Sequence, residues 1–545
     1  MERTLREILA ATGERLLPSS NLAIDIEIPK EEGFGDLATP VAMGLAKSLK
    51  KAPRKIAEEL IGLIGDKAIF ERIEIAGPGF INFSFTRGFL CDKLKQLLRE
   101  GESFLTEDIG RGRRVQIEFV SANPTGPLHL GHGRGAAVGA ALANLLQETG
   151  FNIEKEFYIN DAGRQVRLLG LSVFARYKTL CGVEFPFPDD GYHGYYVEDL
   201  AAEFKEIHGT AFAEKDFEES SYVFIDFAYK KMLAVIKTDL EDFGVVFDTW
   251  QSERELYSTG QVVKALDDLR ERGYVFDLDG AVWFRSTAFG DDKDRVIIKH
   301  DGEYTYFAPD IAYHRNKIMR GFDELVDIWG ADHHGYIPRM RAVIQALGLH
   351  ADSLKVLLVQ MVSLLKGGQP VQMSKRSGEF ITLREVMDDI GPDTTKFLFL
   401  TRRFDSHLDI DIEVAKAQSS ENPVFYVQYA HARINSIFAR AAEAAADTQA
   451  ADFDGRLFNE DEMRLVKKLL SYPMVLRGAA LAHEPHRITF YLQELAGMFH
   501  TYYHKFKVIT DDCALTSARL SLCRAVMIAL RHGLKILGVN APEKM

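Results

Sequence analysis

Two short segments of the chain carry residues able to handle phosphate. His129-Leu130-Gly131-His132 follows a loop interrupted by Pro124 and Pro127, and Met373-Ser374-Lys375 lies far downstream. Histidines three apart at the head of a helix share one side of it and can donate hydrogen bonds to phosphate oxygens. The helix start adds unpaired backbone N–H groups and the positive end of the macrodipole. Gly131 lets a nucleotide come close to the backbone. The downstream segment, Lys366 to Gly378, has the composition of a flexible basic loop. When a carboxylate attacks an α-phosphate, negative charge builds on the phosphoryl oxygens and the leaving pyrophosphate. A lysine on a loop that closes over them stabilises that charge mainly in the transition state. Together the two segments describe a protein that makes acyl-adenylates from ATP; neither alone makes that case.

Two other chemistries could use the first segment. Gly131-x-Gly133-x-x-Ala136 satisfies the dinucleotide fingerprint, with Glu154 and Glu156 about where a ribose-binding acid stands. That fingerprint wants its first glycine directly after a strand, whereas a loop broken by two prolines intervenes here and two histidines are unaccounted for. A H-x-x-H pair could also hold metal, but the glutamate of H-E-x-x-H is missing, and a glycine between the histidines suits phosphate better. No metal ligand is assigned.

These residues need a scaffold. Val115–Val120 has the pattern of a buried strand, Gly133–Glu148 of a helix and Ile153–Ile159 of a second strand. That βαβ unit predicts a doubly wound parallel sheet of the nucleotide-binding (Rossmann) type, a catalytic domain over 109–385. An aromatic-rich insertion at about 183–250 separates its halves, and apolar strands resume at Val296–Ile298, Glu324–Trp329 and Val356–Met361. Residues 1–108 are expected to form a small α/β domain with helices at 2–17, 39–64 (broken near Pro53) and 86–99. Its strands are expected at Ile24–Ile28, Ile73–Ile75 and Phe80–Phe85, with a linker from Gly101 to Gly112. Residues 386–545 are expected to be an all-α bundle, with helices at 394–402, 423–445, 459–482, 485–505 and 515–537.

At 545 residues the chain is too long for one core. Four scattered cysteines (Cys91, Cys181, Cys513, Cys523) with no C-x-x-C pair indicate neither a disulfide framework nor structural zinc, and fit a reduced cytoplasm. The N-terminus has no signal-peptide pattern, and no long uncharged apolar run predicts a membrane span. A net charge of −13 argues against nucleic acid only in sum. Local basic clusters occur at 47–55, 111–114, 464–468 and 519–535, so charge neither supports nor excludes RNA.

The first segment resembles the H-I-G-H signature of the class I aminoacyl-tRNA synthetases, and Gln372–Arg376 their K-M-S-K-S. Gln372 stands for the first lysine and Arg376 for the final serine; the weightier second lysine is kept as Lys375. Within that class the chain resembles the arginyl-tRNA synthetase family over nearly its whole length. Ser121–His132, Tyr158–Gln165 and the terminal Leu537–Met545 are its most specific stretches. The resemblance implies ATP-dependent ligation of L-arginine to tRNA(Arg) by a monomer, with Mg²⁺ on the ATP and no zinc. It implies His129, His132 and Lys375 as catalytic residues, and Gly131, Gly330, Asp332, Met373 and Ser374 around ATP. It implies Glu118, Asn123, Tyr306 and Asp310 around arginine, and Phe80, Asn82, Tyr429 and Arg433 on tRNA. Relatives usually require bound tRNA before activating arginine. A guanidinium ligand independently wants planar carboxylate contacts. A class I enzyme for lysine is the nearest competitor. A nucleotidyltransferase could share both segments but has no use for a helical C-terminal third.

Overall fold

The computed structural model describes residues 1–18, 23–29, 31–371, 380–443 and 453–545. The N-terminal unit sets α1 (Glu2–Leu16), β1 (Leu37–Thr39), α2 (Val41–Leu49), α3 (Pro53–Leu63), β2 (Phe70–Ala76), β3 (Phe80–Phe85) and α4 (Arg87–Glu100) around a three-stranded sheet of order β1-β3-β2. Pro53 opens α3 at its first turn, where the missing N–H costs nothing, so the expected break in 39–64 falls there. The expected strand at Ile24–Ile28 amounts to one bridge, Glu27 with Ala38, and the third strand is Leu37–Thr39 instead. Gly101–Gly112 is no free linker. Leu105 is fully buried, Glu107 pairs with Arg477 at 2.8 Å, and a Cβ on Gly110 would lie 2.4 Å from the backbone of Gly150.

The catalytic unit begins with β4 (Arg114–Glu118), α5 (Leu130–Glu148) and β5 (Asn152–Ile159). A helical layer follows, α6 (Arg164–Leu180), α7 (Tyr195–His208) and α8 (Phe217–Asp242), with its own aromatic core around Phe174, Phe204 and Phe224. The inserted unit therefore opens before residue 183, and its return, β6 (Thr249–Ser252), is a strand of the main sheet. Next come α9 (Glu253–Ser258), α10 (Gln261–Glu271), β7 (Val275–Leu278), β8 (Ala281–Phe284) and β9 (Arg295–Ile298). Val296–Ile298 thus belongs to a separate antiparallel sheet, β7-β8-β9, and not to the parallel one. An apolar triplet cannot say which sheet it joins; hairpin partners decide that. Then α11 (Phe307–Met319), β10 (Glu324–Gly330), α12 (Ile337–Ala346) and β11 (Leu354–Val359) complete the main sheet.

That sheet has the order β11-β10-β4-β5-β6 with every neighbouring pair parallel. The chain winds outward from β4 through β5 to β6, then crosses to the other side for β10 and β11. The strand order reverses between β4 and β10, where ligands of open α/β sheets bind beyond the carboxyl ends of the strands.

Beyond it, β12 (Val362–Lys366) and β13 (Gln369–Pro370) lead into the second signature; α13 (Leu383–Ile390), α14 (Pro392–Phe399), β14 (Leu408–Asp411) and α15 (Ile412–Lys416) follow it. The bundle is α16 (Pro423–Glu443), α17 (Glu460–Ala482), α18 (His486–Lys505) and α19 (Cys513–Leu537), near the expected bounds. By length and composition α19 could cross a membrane, but 67% of its most apolar window is buried in the bundle. One continuous core joins the N-terminal unit, α5 and the bundle. Part of the basic clusters serves this joining: Lys467 pairs with Asp36 at 2.8 Å and Lys535 with Glu148 at 2.7 Å, while Arg519 pairs with buried Glu462 inside the bundle at 2.7 Å.

Candidate active site

All five strands of the main sheet contribute their carboxyl ends to one cleft of about 830 Å³. Its walls are Glu118 and Val120–Asn123 at the end of β4, Tyr158 and Asn160 at the end of β5, Glu253 after β6, Ile328–His333 at the end of β10 and Val359–Met361 at the end of β11. The start of α5 and the cleft-facing residues of α11 close it.

α5 begins at Leu130, inside the histidine segment, and not at Gly133 as expected. His129 is its N-cap. The His132 N–H donates to His129 Nδ1 at 3.3 Å and the His129 N–H to His132 Nδ1 at 3.4 Å, a reciprocal capping box made from two imidazoles. The rings stack at 3.6 Å between centroids, 18° apart. Because both Nδ1 atoms accept, the neutral rings carry their protons on Nε2, and each keeps an Nε2–H donor for a ligand. Burial lowers the pKa of His129, and lowers that of His132 to about 3, helped by His129. The pair therefore acts as neutral donors rather than as fixed cations. Gly131 leaves room for the stack, since a Cβ there would sit 3.0 Å from His129 Cε1 and press on the ring. Gly133 packs on Leu383, where a Cβ would come within 2.6 Å of Cδ1, and Glu156 is buried against Arg320. The residues of the dinucleotide fingerprint are thus taken by packing.

The chain that follows the second signature packs on the first. Residues 372–379, with Met373, Ser374 and Lys375, lie outside the described residues. Immediately after them, Phe380 meets the His129 ring edge-on at 5.7 Å, Thr382 bridges to His129, and the Leu383 N–H donates to Leu128 O at 2.7 Å. Arg134, fully buried one turn into α5, donates to the carbonyls of Gln360 (2.8 Å), Ser406 (2.8 Å) and Arg403 (2.9 Å), tying α5 to the chain entering β12 and β14.

β4 ends at Glu118, short of the expected Val120, because Val120 and Ser121 take left-handed backbone (φ 69° and 39°). A β-branched residue there is strained by about 1–3 kcal/mol. The turn brings Ser121 Oγ back to donate to Glu118 Oε1 at 2.8 Å, while the Tyr158 N–H donates to Ser121 Oγ at 3.2 Å. Glu118 Oε2 accepts from Lys317 Nζ at 2.5 Å. Asn123 lines the cleft and donates to Gln165 Oε1 at 2.6 Å.

On the opposite wall Asp310 accepts from the Tyr336 hydroxyl, and Glu253 stands near it. Burial raises Asp310 above the usual carboxylate range, although the Tyr336 hydroxyl and His314 pull it down. Burial first, and then the charge of Asp310, push Glu253 up to about 7. Buried Glu253 and partly exposed Asp310 face the cleft, and neither is ion-paired among the described residues, an arrangement that suits a cationic ligand. Tyr306 lines the same cleft but is 77% exposed. Gly330, Ala331 and Asp332 line the cleft at the end of β10; a Cβ on Gly330 would meet Asp332 Oδ1 at 2.5 Å.

Glu253, Tyr336 and Lys317 escaped sequence reading. The one signal for Glu253 was its place directly after a strand, and that strand was hidden by the aromatic-rich insertion beside it. Among the other expected residues, Phe80 is half-buried at the head of β3, and Asn82 is 6% exposed on the same strand. Arg433 lies over the Tyr429 ring at 4.4 Å and the Tyr503 ring at 4.9 Å, and its Nη1 is 3.1 Å from His500 Nδ1. Both Tyr429 and Arg433 line a cleft of about 710 Å³ on the bundle. Among the described residues, no group of three or more His, Cys, Asp or Glu is arranged to hold a metal.

A five-stranded parallel sheet ending in one cleft, with the first signature at the start of the helix that follows its central strand, defines a class I aminoacyl-tRNA synthetase. The comparisons agree. The family model for the catalytic domain of class I (R) tRNA synthetases matches residues 93–407, that for the arginyl-tRNA synthetase N-terminal domain 2–85, and that for the DALR anticodon-binding domain 427–545. The chain belongs to the arginyl-tRNA synthetase family. It is 50% identical over 529 residues to an arginine–tRNA ligase of Geobacter sp. (strain M21), covering 96% of this chain and 95% of that one. It is 47% identical over 550 residues to arginine–tRNA ligase 1 of Halalkalibacterium halodurans, covering 100% and 99%. Its fold superposes on the Thermus thermophilus arginyl-tRNA synthetase with a TM-score of 0.79 at 21% identity, covering 100% of both chains. A methionyl-tRNA synthetase of Mycobacterium tuberculosis shares the fold more loosely, with a TM-score of 0.57 at 11% identity over 78% of this chain and 91% of that one.

Proposed function

We propose that this chain ligates L-arginine to tRNA(Arg) in two steps within the cleft at the ends of β4 and β10. Arginine lies with its guanidinium toward Asp310 and Glu253, Tyr306 packing over it, and with its α-amino group toward Glu118 and Asn123. ATP lies over the start of α5, its ribose at Gly330 and Asp332 and its phosphates near Gly131, Met373 and Ser374. A carboxylate oxygen of arginine attacks the α-phosphorus and pyrophosphate leaves. His129 and His132 donate hydrogen bonds from Nε2, and Lys375 brings a full positive charge to the leaving phosphates. In the second step a hydroxyl of the tRNA 3′-terminal adenosine attacks the acyl carbon, and AMP leaves. Positioning and electrostatics, not a covalent enzyme intermediate, supply the rate.

Mg²⁺ arrives on the phosphates of ATP as part of the substrate. The α5 start offers imidazoles and backbone N–H groups rather than a carboxylate set, which fits phosphate and not a resident cation. No zinc enters the reading. Phe80 and Asn82 on one side and Tyr429 and Arg433 on the other are assigned to tRNA, by stacking and edge contacts to unstacked bases. Asn82 must then be uncovered when tRNA binds. A monomer in the cytoplasm that activates arginine only with tRNA bound completes the reading.

The observation that carries it is one cleft with a neutral phosphate-binding helix start on one wall and, on the other, two acids that no cation among the described residues pairs with. The test is arginine-dependent exchange of labelled pyrophosphate into ATP, with and without tRNA, beside a lysine control. Exchange with arginine only when tRNA is present supports every part. Exchange without tRNA removes the tRNA-first order, and exchange with lysine alone removes the assignment of Asp310 and Glu253.

A further inference from the structure

Beneath the cleft floor lies a buried ionic array of which the steps above use only Glu118. Glu118 and Asp327 are register partners on the neighbouring parallel strands β4 and β10, so their carboxylates share one face of the sheet. Side by side in a dry interior, two such charges repel, and one takes up a proton unless a cation intervenes. The cation is Lys317, with no solvent exposure, whose Nζ donates to Glu118 Oε2 at 2.5 Å and Asp327 Oδ1 at 2.8 Å and lies 4.3 Å over the Tyr313 ring. His314, one turn earlier on α11, places Nε2 at 2.9 Å from Asp327 Oδ2 and Nδ1 at 2.8 Å from the backbone carbonyl of Asp310. Both ring nitrogens thus face carboxylate or carbonyl oxygens.

We propose that Lys317 is a positioning residue for α-amino recognition: wedged between Glu118 and Asp327, it fixes the orientation of the Glu118 carboxylate, aimed into the cleft where the arginine ammonium docks. Ser121 fixes the other oxygen, so the carboxylate has no rotational freedom left, and each oxygen keeps a lone pair for the ligand. Lys317 is sealed under Glu118 and touches no substrate. Because His314 joins Asp327 to the backbone of Asp310, the α-amino and guanidinium ends of the ligand stand on the same array. The proposal rests on the placement of the α-amino group at Glu118.

The test compares binding of L-arginine with binding of 5-guanidinopentanoic acid, which lacks only the α-amino group, by calorimetry with tRNA present. Wild type should prefer L-arginine by at least about tenfold, the scale of a charge-assisted contact. Lys317→Met should bring the two affinities within about twofold of each other while the affinity for ATP stays put. Should removing the buried cation unfold the protein, Lys317→Met/Asp327→Asn relieves the like-charge contact and carries the same comparison. A merely structural Lys317 would weaken both ligands and ATP in parallel, and that result overturns the proposal. A preference that survives in the variants overturns the role of Lys317 alone. Equal affinities in wild type overturn the placement at Glu118, and the proposal with it.

Discussion

If arginine binds between Glu253 and Asp310 as proposed, its binding should release a proton from Glu253. In the free protein its pKa is pushed up to about 7 by burial and by the charge of Asp310, against a lowering by the Tyr158 hydroxyl. A guanidinium placed between Glu253 and Asp310 removes the reason for the proton to stay. If only the ionised form binds, the apparent dissociation constant grows by one plus ten to the power of pKa minus pH. That factor is about 1.1 at pH 8, about 2 at pH 7 and about 11 at pH 6. Arginine affinity therefore weakens roughly tenfold from pH 8 to pH 6, with about 0.1, 0.5 and 0.9 proton released per arginine bound at pH 8, 7 and 6. Isothermal titration calorimetry at each pH, in two buffers of different ionisation enthalpy, reads both quantities. Glu253→Gln should remove most of the proton release and leave the smaller part that belongs to Asp310. Flat affinity with no proton release at pH 6, or undiminished release in Glu253→Gln, refutes the reasoning. Stability follows the same linkage. The folded pKa lies above the ordinary carboxylate value, so protonation of Glu253 stabilises the unliganded fold fully below about pH 4.5, and that contribution is lost as pH rises through 7.

The other expectations follow from neighbouring contacts. Asp310→Asn should raise the arginine KM about 10- to 100-fold with the ATP KM unchanged, since it removes one charged partner of the guanidinium; steady-state pyrophosphate exchange measures it, and a larger change in the ATP KM refutes it. His132→Ala should lower the exchange kcat about 10²-fold and cost about 1 kcal/mol through the broken cap. Since burial keeps His132 near 3, the pair should produce no limb in the kcat profile between pH 6 and 8. Val120→Gly relieves a left-handed β-branched residue and should raise the unfolding free energy by about 1 kcal/mol in urea titrations; an unchanged or lower midpoint shows that Val120 packing outweighs its backbone strain. Arg433→Ala, which empties the space between Tyr429 and Tyr503, should raise the tRNA KM about tenfold while the arginine affinity stays constant.

The chain itself determined the class of fold and the phosphate end of the site. Strand–helix alternation, the two signatures and the periodic helices after residue 385 are local patterns, and local patterns survive without knowledge of the tertiary structure. The break at Pro53, the five C-terminal helices and the joint placement of His129, His132 and Gly131 were legible for that reason. What the sequence left open depended on partners distant along the chain. Whether Val296–Ile298 joined the main sheet was settled by the hairpin strands beside it. Whether Glu118 met solvent or a lysine was settled by Lys317, 199 residues away. Whether the histidines were charged was settled by burial against the chain that follows the second signature. Glu253 carried no motif at all and became a cleft-facing acid only when β6 closed the edge of the sheet. Backbone pattern is written residue by residue, whereas charge state and carboxylate orientation depend on which groups the completed fold brings within a few ångströms, and only the tertiary structure decides that.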